Sequence, residues 1–134
     1  MNLRNLSLGV AAAVTTFLLA GALSISVLGG LYGDSPGVGI LGVLAGLVTG
    51  LAAGVVVVLF AARLAGITAA ALVAYGTFGV AFLAIAGLQY VNVPGADAVF
   101  TFPVHLATSA LVAVFVAAAV FVRSEERGGA KPSV

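Results

Sequence analysis

The sequence predicts an all-α integral membrane protein, a bundle of four transmembrane helices forming a single membrane domain over residues 1–134. Three observations lead there. The chain is 63% hydrophobic and 7% charged, where an ordinary globular domain is about 45–50% apolar and about 25% charged. Its charges are also spaced: uncharged runs of 29, 28, 33 and 25 residues separate Arg4, Asp34, Arg63, Asp97 and Arg123. Each run holds the roughly 20 residues needed to cross a hydrocarbon core about 30 Å thick. Finally, the signs alternate. Arg4, Arg63, Arg123, Arg127 and Lys131 fall at the amino end, the second loop and the tail, while the first and third loops carry only Asp34 and Asp97. The positive-inside rule then places both termini in the cytoplasm, with the plasma membrane as the expected location.

Composition also removes whole classes of function. Without cysteine there is no disulfide framework, thiol nucleophile or iron–sulfur ligand set. A net charge of +1 gives no footprint for nucleic acid. Tryptophan is absent, so tyrosine and phenylalanine must supply any aromatic belt.

Taken in order, the first span is expected over about Leu6 to Leu28. Arg4, an apolar run and Ala20-Gly21-Ala22 imitate a secretory signal, but the run of about 23 residues exceeds the usual 7–15, so a membrane span is the expectation. Pro36-Gly37 supplies turn chemistry before a second span over about Val38 to Phe60. That span carries Gly42, Gly46, Gly50 and Gly54 at strict four-residue spacing. Each interior glycine costs roughly 1 kcal/mol in a soluble helix. In a bilayer, residues four apart share a face, and small residues there let a second backbone come close. The ladder marks a helix-packing face, either for a neighbouring helix of the same chain or for another subunit.

A third span is expected over about Ile67 to Tyr90, with Tyr75, Phe78 and Phe82 on one helical face. A fourth runs from about Ala98 to Val122. Pro103 lacks an amide donor and fits a first helical turn, so regular helix is expected from near Pro103 with Thr101 as its cap. Residues 123–134 read as a flexible, solvated cytoplasmic tail.

The two outer loops resemble each other. Gly30-Leu31-Tyr32-Gly33-Asp34-Ser35-Pro36-Gly37 and Gly87-Leu88-Gln89-Tyr90-Val91-Asn92-Val93-Pro94-Gly95 share Gly-Leu, Tyr, Asx and Pro-Gly with one residue inserted. This suggests tandem duplication of a helical hairpin, although short turns also converge on these residue types.

His105 is the lone histidine and lies in the outer part of the fourth span. An ionisable residue at membrane depth is a functional candidate by default, but Gln89, Tyr90, Asn92 or water can satisfy it. Together with Gln89 and Tyr75 it forms the candidate set for polar or ligand contact. All four carboxylates flank the spans, which removes the buried acid that proton- or sodium-coupled transport ordinarily uses. Asp34, Asp97 and His105 have no spacing that requires a metal. No nucleophile elbow or phosphate loop is present, so no catalytic residue, cofactor or metal is assigned.

The expectation is therefore a small non-enzymatic multi-pass protein embedded in the lipid bilayer. It would serve as an accessory or scaffold subunit, associating with itself or with a larger membrane complex through close helix packing. One alternative is a homo-oligomeric passive channel with Thr49, Thr77 and Thr108 along its path. Another is binding of a lipid or other apolar ligand against Tyr75, Phe78 and Phe82.

Overall fold

The computed structural model describes residues 2–33, 35–91 and 93–129. Asp34, Asn92 and Lys131 lie outside these residues. Among the described residues the protein is all-α, with four helices long and apolar enough to cross a membrane. Mean hydropathy over their best 18-residue windows is 2.0, 2.6, 2.0 and 2.2, and no more than 22% of any window is buried. Most of this apolar surface faces outward. In water it would be strongly unfavourable, whereas facing lipid it carries no such cost.

The chain divides into two compact units, Met1–Ala62 and Arg63–Val134. The first is an antiparallel hairpin of α1 (Leu3–Tyr32) and α2 (Pro36–Phe60), closed by a 3₁₀ turn at Ala61–Arg63 that leads out of the unit. At 30 residues, α1 is about 45 Å long and exceeds the hydrocarbon thickness. It starts before the expected Leu6 because Asn2 caps it: the Asn2 side chain accepts from the Arg4 amide at 3.3 Å. It also passes Leu28, since Gly29 and Gly30 are not enough to break a helix. The stop comes at Gly33, which adopts φ 72° and donates its amide to the Gly29 carbonyl at 2.9 Å. Pro36 then opens α2 at the helix start, where its missing donor does no harm.

The second unit pairs α3 (Gly66–Tyr90) with α5 (Phe102–Gly129), joined through the one-turn helix α4 (Ala96–Val99). Thr101 acts as the backbone cap of α5, its carbonyl accepting the His105 amide at 2.8 Å. Regular helix in the fourth span thus begins at Phe102, beside the Pro103 at which it was expected, and Phe100 and Thr101 separate it from the short α4. At its far end α5 continues past Val122, the expected end of the span, to Gly129. Ser124-Glu125-Glu126-Arg127 contains no breaker, and the Ser124 hydroxyl donates to the Phe121 carbonyl at 2.6 Å. Each unit is a helical hairpin, as a duplication requires. Loop positions Asp34 and Asn92, on which part of the likeness rests, lie outside the described residues.

Candidate functional site

In the first hairpin the glycine ladder is covered by α1. Gly42, Gly46, Gly50 and Gly54 are all buried. A β-carbon added at Gly46 would stand 2.6 Å from the Phe17 carbonyl oxygen, and one at Gly50 would stand 2.7 Å from that of Ala13. At Gly54 it would meet the Ala13 side chain at 2.9 Å and the Gly9 carbonyl at 3.0 Å, and at Gly42 it would run into Ile25. The relation is reciprocal. A β-carbon on Gly9 would meet the Gly54 carbonyl at 2.9 Å, and one on Gly21 the Gly42 carbonyl at 3.3 Å.

Two stripes of period four therefore run against each other. Gly9, Ala13, Phe17, Gly21 and Ile25 on α1 face Gly54, Gly50, Gly46 and Gly42 on α2. Each glycine leaves room for a carbonyl of the opposite helix, so backbone meets backbone. The α1 half was missed at the sequence level. Its signal is the spacing Gly9, Ala13, Gly21, broken for the eye by the large Phe17 and Ile25.

In the second hairpin the polar centre is His105. It is 5% exposed. Its Nε2 lies 2.9 Å from the Phe82 carbonyl oxygen, and because a carbonyl only accepts, Nε2 is the donor. The ring also stacks on that of Phe82, with centroids 4.0 Å apart and planes at 23°. Phe82 in turn lies 6.0 Å from Phe78, centroid to centroid. One turn along α5, the fully buried Ser109 donates its hydroxyl to the His105 carbonyl at 2.9 Å.

The expected satisfiers of His105 are placed elsewhere. Gln89 sits two turns beyond Phe82 and donates its Nε2 to the Phe100 carbonyl at 2.7 Å, across the break between α4 and α5. Tyr90 is 89% exposed, and Asn92 lies outside the described residues. Tyr75, the third member of the candidate set, lies about two turns from Phe82 along α3 and is 36% exposed. Sequence reasoning identified His105 but missed its acceptor, because a backbone carbonyl leaves no mark in residue types. Ser109 had a signal in the His-x-x-x-Ser spacing.

Chemically, the His105 cluster is an interhelical clamp with its Nε2 donor committed to a main-chain oxygen. Among the described residues no three His, Asp or Glu side chains lie together to hold a metal ion. Asp34, half of the acidic pair weighed with His105, falls outside those residues. No protein-family model, no curated protein and no solved structure matches this chain.

Proposed function

We propose that this protein is a non-enzymatic accessory or scaffold subunit of a membrane, working through association rather than chemistry. The observation that carries this reading is the commitment of its polar and small side chains to local structure. The ladder of α2 is filled by α1. His105 is tied to Phe82, Ser109 to the His105 carbonyl and Thr15 to the Ala11 carbonyl at 2.9 Å. Thr49, a candidate lining for a solute path, donates to the carbonyls of Ala45 and Gly46 at 2.7 and 3.1 Å. Two stiff apolar hairpins suit a part that other membrane helices pack against.

Because α1 occupies the ladder, a partner would dock on the outward faces of the helices and not in the α2 groove. The test is purification in mild detergent followed by native mass determination. A homo-oligomer or a defined larger complex is expected. A lone monomer that captures nothing would remove the reading. Flux measured in reconstituted vesicles separates it from the channel alternative, which requires permeability above that of empty liposomes.

A further inference from the structure

The main chain that connects α3 to α5 is folded on itself. The Val93 amide donates to the Leu88 carbonyl at 3.2 Å and the Val99 amide to the Gly95 carbonyl at 3.1 Å, with Gly95 at φ 84° leading into α4. Helical bonding lapses at Phe100 and Thr101, yet both of their carbonyls are paired within the second hairpin. That of Phe100 accepts the Gln89 Nε2 at 2.7 Å, and that of Thr101 accepts the His105 amide at 2.8 Å. Pro103, next along, has no amide that needs a partner. A connection bathed in water needs no such arrangement, because water satisfies any free carbonyl. Beside lipid an unpaired carbonyl is costly.

The side chains agree with the backbone. Val99 is 60% exposed and Phe102 70%, and Val91, Val93 and Ala98 are exposed as well. Between Tyr90 and Phe102 the sequence has no lysine or arginine. On either side, α3 and α5 are both long and apolar enough to cross a membrane. The connection therefore lies at the membrane surface where those two helices emerge, with apolar side chains outward.

We infer that α4 and the Phe100–Thr101 interruption form an interfacial anchor. They lie in the boundary between headgroups and acyl chains, with Val99 and Phe102 in the apolar layer. The Gln89 side chain makes this possible by taking the place of water at the Phe100 carbonyl. The partner is the lipid boundary itself, and no particular headgroup is selected, because the segment offers a phosphate no cation. The connection of the first hairpin is the contrast: Ser35 stands exposed between Gly33 and Pro36, in a short polar turn that faces water. The inference rests on the four helices being membrane-embedded and requires no protein partner. Its failure is therefore distinct from failure of the scaffold reading.

The chain has no cysteine, so a single introduced cysteine carries a nitroxide spin label at one known place. Val99→Cys, Phe102→Cys, Ser35→Cys and Phe115→Cys are labelled in the full chain, in phosphatidylcholine vesicles. Collision rates are then measured with oxygen, which concentrates in lipid, and with a water-soluble nickel chelate. All four positions are exposed, so a label displaces no packed neighbour. Labels at Val99 and Phe102 should collide more with oxygen and read a depth of about 5–10 Å below the headgroup boundary. The label at Ser35 should favour the nickel chelate. Phe115 stands about 20 Å farther along α5 than Phe102, and its label reports separately whether the span is embedded. With the label at Val99, adding Gln89→Leu should raise nickel collisions as water moves in to the Phe100 carbonyl. Three results would each overturn the anchor: nickel collisions dominating at Val99 and Phe102 while Phe115 is embedded, an immobile label that neither reagent reaches because protein covers it, or no change in Gln89→Leu.

Discussion

His105 holds Phe82 twice, through a hydrogen bond from Nε2 to the Phe82 carbonyl at 2.9 Å and through a ring stack at 4.0 Å. The two contacts act on different atoms and can be separated. An interhelical hydrogen bond in a membrane protein contributes about 0.6 kcal/mol on average and up to about 1.7, and an aromatic pair contributes about 0.5–1.5 kcal/mol. His105→Phe keeps a ring and loses the donor, so it should cost about 1 kcal/mol. His105→Ala loses both and leaves a void, so about 2–4 kcal/mol is expected. Reversible unfolding in mixed detergent measures both. Equal stability of His105→Ala and the natural chain would exclude the clamp.

The ladder sets a sharper contrast. Gly46→Ala puts a methyl 2.6 Å from the Phe17 carbonyl oxygen, closer than backbone can tolerate, so the helices of the first hairpin must move apart. A loss of about 1–3 kcal/mol is expected for Gly46→Ala or Gly50→Ala, and more for leucine. Gly29 is also within α1 but has nothing within 4 Å of an added β-carbon. There alanine should gain up to about 1 kcal/mol from helix propensity alone. Thermal melting of the two variants side by side should give shifts of opposite sign. Shifts of the same sign would mean that the ladder is not the packing face.

Four membrane-spanning helices were legible in the sequence because the signal is cumulative: charges at Arg4, Arg63 and Arg123 bracket runs that composition alone makes apolar. Helix ends were less legible. Asn2 as a cap and Gly33 as a left-handed stop are single-residue events, and the first run gave no hint that helix extends into its polar flanks. The ladder was visible and its partner was not, because Phe17 and Ile25 fit the α1 stripe only once the facing glycines are known to make room for them. His105 stood out by its chemistry, whereas its acceptor is a main-chain atom that any residue at position 82 would supply. The break at Phe100 and Thr101 was signalled by Pro103, and the helical turn before it was not.

The turn of the first hairpin depends on Gly33 at φ 72°. A β-carbon meets no neighbour there, so the cost of Gly33→Ala is the backbone strain of a positive φ with ψ −174°, about 1–3 kcal/mol. At Gly37 an added β-carbon meets only the Ser35 hydroxyl oxygen, at an ordinary contact distance of 4.0 Å, and there is no such backbone constraint. Gly33→Ala should therefore lower the melting point of the protein while Gly37→Ala does not. Equal effects would show that the left-handed turn is not holding the α1–α2 connection.

Gln89 bridges an interruption that would otherwise leave a carbonyl unpaired. The short helix α4 ends at Val99, and the Phe100 carbonyl accepts the Gln89 side chain at 2.7 Å rather than a helical amide. In a partly buried position near the end of a span, losing that donor costs about 0.5–1.5 kcal/mol. The loss is local, because the hydrogen bonds of α3 and α5 do not depend on it. Gln89→Leu should leave global stability nearly unchanged and accelerate amide exchange at Ala98 and Val99, which the bridge steadies through Phe100. Gln89→Glu supplies no amide donor to the carbonyl when ionised, so it should behave like leucine above the carboxylate range and approach the natural chain once protonated. Exchange rates at these amides that match in all three proteins would show that the bridge does not hold the break in place.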